Sequence, residues 1–238
     1  MHKFSSTKLE EVAKNSLYTT FTNSMTIEYS FEVFKRYIKK GKILELGPAE
    51  GLMTKHLSKI DPKLTAVDGS AIFCRKLKEE FKEINVINSL FEEVNLEEKF
   101  DTIVLGHVLE HVENPQKLLN HIKSWLSEDG VVVCAVPNAN SIHRQAAVEM
   151  GLIKSIFEMS DKDIHHGHMR IYTPETLRTE FLNSGYQILY RGGYWLKPLN
   201  DALIEKSYTK EMLYAFMKLG EFYPDIAAET YVIAKHRR

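Results

Sequence analysis

Nine residues, Ile43-Leu44-Glu45-Leu46-Gly47-Pro48-Ala49-Glu50-Gly51, constrain the fold more than any other stretch of this chain. An apolar run meets an acid, then a glycine, a turn and a second glycine. The pattern predicts a buried strand that ends in a tight turn and opens a helix at about residue 50. Glycine at position 47 lets the main chain turn where a Cβ would collide, and lets a ligand lie against the backbone. A carboxylate at Glu45, just before the turn, repels a pyrophosphate and attracts an amino group. No Lys-Ser/Thr pair closes the turn, so it suits a zwitterionic cofactor better than a nucleotide phosphate. A nicotinamide site needs Gly-x-Gly-x-x-Gly, and Gly47 and Gly51 fit that spacing poorly.

Strands and helices alternate after this point. Strands are expected at residues 42–46, 63–67, 85–87, 101–105, 131–136, 186–190 and 230–234. Helices are expected at 50–59, 71–81, 115–126 and 173–184, the last opened by the capping signal Thr173-Pro174-Glu175. The wholly apolar run at 131–136 is typical of a strand covered on both faces. Such alternation implies an α/β fold, a doubly wound parallel sheet with right-handed crossovers. Residues 1–40 read as a helical cap, with Phe31, Phe34 and Ile38 recurring at helical spacing. Two segments break the alternation, 138–170 with one expected helix at 141–150, and 192–225. Both follow strands at the sheet's carboxyl edge, where such folds bind ligands. The chain reads as a single domain carrying two acceptor-side insertions.

Three features converge on that edge. One is the turn from Glu45 through Gly47 and Ala49 to Gly51. The second is Asp68-Gly69 after the second strand, a carboxylate that can accept both hydroxyls of a ribose, with a helix N-cap as the plainer role. The third is Asn88-Ser89-Leu90-Phe91, suited to an adenine ring edge and face; for Ser89 a simple turn role stays open. These features resemble the class I S-adenosylmethionine-dependent methyltransferases. So do Phe100-Asp101-Thr102-Ile103-Val104-Leu105-Gly106-His107-Val108-Leu109-Glu110-His111-Val112 and Leu126-Ser127-Glu128-Asp129-Gly130. The resemblance covers roughly residues 42–190. It implies S-adenosylmethionine as cofactor, a mostly parallel seven-stranded sheet with an antiparallel final strand, and a lid after strand five. It also implies that Glu45, Gly47, Ala49 and Gly51 surround the methionine moiety, Ala49 standing where a glycine often sits.

Methyl transfer from a sulfonium needs an aligned acceptor and a place for its proton. His107, Glu110 and His111 stand at i, i+3 and i+4, and would share one face if the segment were helical. Two imidazoles and a carboxylate can hold a divalent cation such as Mg2+ or Mn2+, and His165, His166 or His168 could complete the shell. The pattern is similar to metal-assisted O-methyltransferases of ubiquinone synthesis and of small-RNA ribose ends. Their Glu-x-x-Glu-His is matched here only at Glu110 and His111. Without metal, His107 or His111 is the candidate general base. His143, Arg144, His165, His166, Arg170 and Tyr194 are the acceptor-side candidates, Arg144 for a carboxylate or phosphate.

Composition narrows the acceptor. The chain has 238 residues and a net charge of −1, which excludes the electrostatic footprint of a nucleic-acid binder. No apolar run reaches the roughly 18 residues of a membrane helix. Two cysteines and no apolar leader suit reduced thiols in a cytoplasmic protein, a monomer or homodimer. The wider chain resembles methyltransferases of surface-polysaccharide and natural-product pathways. The expected activity is O-methylation of a small polar acceptor: a sugar, nucleotide-sugar or phosphate-bearing precursor. N-methylation with a histidine base is the alternative. A non-catalytic cofactor or partner binder is a third reading.

Overall fold

The computed structural model describes residues 6–237, so Met1–Ser5 of the expected cap lie outside them. Seven strands form one sheet in the order β3-β2-β1-β4-β5-β7-β6. They are β1 (Ile43–Leu46), β2 (Thr65–Asp68), β3 (Asn85–Asn88), β4 (Phe100–Gly106), β5 (Leu126–Pro137), β6 (Tyr186–Tyr194) and β7 (Glu229–His236). β7 runs antiparallel to both neighbours, and every other pairing is parallel. The doubly wound, mostly parallel seven-stranded fold expected from sequence is therefore the observed one.

Strand periodicity builds two cores. Leu44 and Leu46 point to one face, with Ile103, Leu105, Trp125 and Phe181. Ile43, Val104, Val131 and Val133 point to the other, under Val33, Phe34, Leu213 and Met217. Glu45 shares the parity of Ile43. It is an acid on a face otherwise filled by hydrocarbon, and only 2% exposed.

The cap comprises α1 (Ser6–Lys14) and α2 (Phe21–Phe34). Several local expectations are corrected. The helix after β1 is only α3 (Thr54–Leu57), because Gly47, Ala49 and Gly51 sit at φ 69°, 46° and 79°. A right-handed helix cannot begin until the third left-handed residue is passed. β5 absorbs Ser127-Glu128-Asp129-Gly130, and β6 extends through Tyr194, so 192–194 belong to the sheet. The insertion after β5 holds two helices, α6 (Ile142–Glu149) and α7 (Asp161–His166), not one. A capping box between Ser160 and Asp163 opens α7, and Gly167, left-handed at φ 80°, closes it. Then come α8 (Pro174–Asn183), α9 (Asp201–Ser207) and α10 (Lys210–Gly220). α4 (Ala71–Glu80) and α5 (Pro115–Lys123) cover the sheet between β2 and β5. Residues 107–111 form a turn, not the helix that would put His107, Glu110 and His111 on one face. No helix among the described residues is long and apolar enough to cross a membrane.

Candidate active site

The carboxyl ends of β1, β2 and β4 open onto two adjoining cavities of about 340 and 590 Å3. Gly47, Ala49, His107, His111, Tyr18 and His166 line both. In the smaller cavity Asp68 is held by the backbone. Its Oδ1 accepts from Ser70 N at 2.8 Å and its Oδ2 from Ala49 N at 3.2 Å. One carboxylate thus ties the end of β2 to the left-handed turn after β1. Burial pushes Asp68 up to about 6, although those two N–H groups pull it back. Gly69, Leu90 and Phe91 form the walls. A Cβ at Gly69 would meet Leu9 Cδ1 at 2.7 Å and Leu90 Cδ2 at 3.2 Å, and one at Gly47 would sit 3.1 Å from Val108 Cγ2. Glycine at these positions lets the neighbouring side chains close around the cradle. A buried acid for paired hydroxyls, a slot for a flat ring and a glycine-lined turn fit an S-adenosyl nucleoside.

Glu45 faces the larger cavity and accepts from Thr54 Oγ1 at 2.7 Å. Burial raises it to about 8, and the Thr54 bond offsets only part of this. A free site near pH 6 thus holds Glu45 protonated, whereas a bound ammonium or sulfonium favours the anion. Cofactor affinity is therefore expected to rise as pH climbs from 6 to 8, with a proton released on binding. Calorimetry across that range checks this, and Glu45→Gln should flatten the slope; an unchanged slope in the variant contradicts it.

Two of the expected cofactor residues lie elsewhere. Gly51 lines neither cavity. A Cβ there would meet Leu77 Cδ2 at 2.9 Å and Phe81 Cε2 at 3.0 Å, so this glycine serves packing against α4. Ser89 is also absent from the walls. Its hydroxyl donates to Leu90 O at 3.1 Å and its N–H to Asp68 O at 3.0 Å.

His107, the first residue after β4, is left-handed at φ 58° and stands at the junction of the cavities. Such backbone in a non-glycine residue marks local strain. Its ring lies between two buried acids, Nδ1 3.3 Å from Glu110 Oε1 and Nε2 3.7 Å from Glu229 Oε2. Burial alone would keep the ring neutral, but Glu229 and Glu110 outweigh it and raise its pKa. Carrying a proton, His107 is a poorer general base than expected from sequence. His111 is driven the other way by burial, to about 4, and is neutral.

Glu110 is buried and neither carboxylate oxygen has a hydrogen-bond partner. One oxygen of Glu110, one nitrogen of His111 and one of His168 lie within 4.8 Å of one another. The main chain sets this meeting, since Met169 N donates to Glu110 O at 2.8 Å and pins the end of the lid to the turn. His168 is steadied from behind by Asp163, Nδ1 to Oδ1 3.4 Å. The donor set fits a divalent cation. His107 is not a member of that trio, and its contact with Glu110 makes it a neighbour of the site.

The acceptor-side candidates divide. His143 and Arg144 line the larger cavity, and His166 lines both, its Nε2 buried without a partner. Arg144 spends Nε on Ile156 O at 2.9 Å, a second nitrogen on Glu158 O, and pairs with Asp163 at 3.6 Å. Three others point away. His165 is exposed and contacts Asn15 O at 3.1 Å. Arg170 donates to the carbonyls of Leu109, Val112 and Glu113, bracing the 107–111 turn. Tyr194 is wholly buried, its hydroxyl 2.6 Å from Ser30 Oγ.

Residues not singled out from sequence also face the larger cavity: Tyr18, Glu229, Lys162 and Asp201. Glu229 had a readable signal. It opens the apolar final strand, and an antiparallel β7 places its first residue at the carboxyl edge, opposite Pro137 and Tyr194.

A family model described as a methyltransferase domain matches residues 28–191. A ubiquinone biosynthesis O-methyltransferase of Glaesserella parasuis serovar 5 is 26% identical over 151 residues, 58% of this chain and 61% of that protein. A malonyl-[acyl-carrier protein] O-methyltransferase of Bacillus cereus is 33% identical over 96 residues, 39% of this chain and 36% of that protein. The chain thus spans less than two thirds of the length of these curated relatives. Among solved structures, a possible histamine N-methyltransferase of Thermotoga maritima superimposes with TM-score 0.68 at 13% identity, covering 97% of this chain and 100% of that one. An N-methyltransferase of Bradyrhizobium japonicum, solved with S-adenosylhomocysteine, gives 0.62 at 14% identity, covering 98% of each. At such identities the likeness is one of fold. With the family match extending over more than half its length, this chain belongs to the methyltransferase domain family and has the class I S-adenosylmethionine-dependent fold.

Proposed function

We propose that the protein transfers the methyl group of S-adenosylmethionine to an oxygen of a small polar acceptor, with a divalent cation held by Glu110, His111 and His168. The observation that carries the cation is Glu110. This buried carboxylate has the His107 ion pair at 3.3 Å on Oε1 but no well-formed hydrogen bond on either oxygen among the described residues, and a cation shared with two neutral imidazoles would satisfy the lone pairs that His107 leaves open. The names of the curated relatives, both O-methyltransferases, support oxygen as the acceptor atom. Charged groups in the larger cavity, Lys162, Lys197 and Asp201, support a polar acceptor such as a sugar, nucleotide-sugar or phosphate-bearing molecule over a bare hydrocarbon.

The nucleoside donor supplies a methyl group already activated as a sulfonium. Asp68 and the 47–49 turn hold the ribose side, and Glu45 holds the amino acid side. Held at these two ends, the sulfonium would face the junction that His107 lines. A bound cation would supply Lewis acidity that lowers an acceptor hydroxyl's pKa, so that the hydroxyl would lose its proton to solvent before its oxygen takes the methyl group and S-adenosylhomocysteine leaves. His107, charged and braced by Glu229, keeps Glu110 oriented. α7 and the residues around it shield the junction from water. A metal-free N-methyltransferase has one supporting observation, the neutral ring of His111. Chelation separates the two: EDTA should abolish turnover and Mg2+ or Mn2+ restore it, whereas activity indifferent to EDTA removes the cation.

A further inference from the structure

The far wall of the larger cavity carries charge that methyl transfer does not use. Lys197 Nζ lies 2.5 Å from Asp201 Oδ1, and Lys162 Nζ contacts Asp201 Oδ2 and Asn23 Oδ1, the latter at 3.0 Å. One carboxylate therefore faces two ammonium groups. Arg144 adds a third cation, and Asp163 is its counterion. Within this cluster three cations face two carboxylates, with Glu229 farther along the same cavity beside His107. It is also sheltered: the Lys197 and Arg144 side chains are 11% and 13% exposed. Lys197 rests over the Trp195 ring, 4.6 Å from its centroid. Beside them His143 leaves Nδ1 buried without a partner. Burial first, then Lys197 and Arg144, hold that ring neutral against the opposing pull of Asp201 and Asp163.

Each ammonium has three donors. Among the described residues Asp201 is the one ion-pair partner of Lys197, and the Lys197 side chain lines the cavity. The wall also lies within electrostatic reach of the reaction point. Lys197 and Asp201 act on Glu229, and Lys162 acts on His107. Arg144, expected to meet an acceptor anion, and Arg170, the other acceptor-side arginine, are largely spent on main-chain carbonyls.

We infer that Lys162 and Lys197, sharing Asp201 and flanked by His143, form an oxyanion subsite that binds a phosphate or carboxylate group of the acceptor. This rests on the reading of the larger cavity as the acceptor site. Two lysines sharing a single counterion suit a dianionic phosphate better than a carboxylate.

Inorganic phosphate and acetate are the probes, added to the full chain saturated with S-adenosylhomocysteine. The chain has two tryptophans, and Trp125 is buried away from this wall, so Trp195 fluorescence reports on Lys197. Phosphate should change it saturably, and Trp195→Phe should abolish the signal. Lys197→Met and Lys162→Met should each weaken phosphate binding by about tenfold or more. Lys197→Arg should largely keep it, and S-adenosylhomocysteine affinity should be unchanged in all three. Acetate binding as tightly as phosphate would keep the subsite and make the group a carboxylate. No saturable response to either anion, or equal phosphate affinity in Lys197→Met, overturns the subsite while cofactor binding leaves the parent reading standing. Lysines that merely latch α7 to α9 would alter the melting temperature and leave phosphate affinity alone. Failure of S-adenosylhomocysteine to bind the unaltered chain would overturn both.

Discussion

Replacing Asp68 with alanine is expected to weaken S-adenosylhomocysteine binding by about a hundredfold, through loss of a buried charged acceptor worth about 3 kcal/mol. Two effects combine. The carboxylate is placed for paired ribose hydroxyls in a cavity lined by Gly69, Leu90 and Phe91. It also accepts from Ala49 N and Ser70 N, so its loss frees the left-handed turn and the start of α4. Asp68→Asn separates these contributions. It keeps the shape and one acceptor oxygen, and should bind with intermediate affinity. Calorimetry on variants with wild-type circular dichroism checks both values. Undiminished affinity in Asp68→Ala would remove Asp68 from the cofactor site.

The second large effect is expected at Glu110. Glu110→Gln preserves volume but removes the charge shared by His107, His111 and His168. Turnover should fall by about a hundredfold or more, and bound divalent metal should be lost from the purified protein. Affinity for S-adenosylhomocysteine should stay near wild type, because Glu110 lines neither cavity. Burial would raise this carboxylate, but the protonated His107 ring beside it holds it well below the usual range, so in the unaltered protein it is an anion near neutral pH. Turnover and metal content both unaffected in Glu110→Gln would end its assignment as a ligand.

Legibility in the sequence followed interaction range. The strands and the glycine turn after β1 rest on contiguous patterns: an apolar run, an acid, glycines at fixed offsets. Those patterns survive folding because strand burial and left-handed turns are local requirements. The helix expected at 50–59 shrank to four residues because Ala49 and Gly51 are left-handed, which residue type does not announce for alanine. Residues 107–112 have helical spacing of Val108, Leu109 and Val112, yet they turn. His107 is left-handed there, and Arg170 and Met169 take carbonyls that a helix would have used.

The acceptor side was least legible because its charges come from far apart. Lys162 and Asp201 meet across 39 residues, and Arg170 reaches carbonyls 57 to 61 residues away. An isolated arginine in sequence carries no sign of whether a ligand or the main chain will claim it. Here backbone carbonyls claim Arg170 and most of Arg144. Lys162 and Lys197 instead share the Asp201 carboxylate at the cavity wall.

Crystals grown with S-adenosylhomocysteine test the central claim most directly. The account predicts the ribose hydroxyls on Asp68, adenine between Leu90 and Phe91, the amino group toward Glu45 and the sulfur facing His107. Electron density for the compound at any other place, or none in this cleft at saturating concentration, would contradict it.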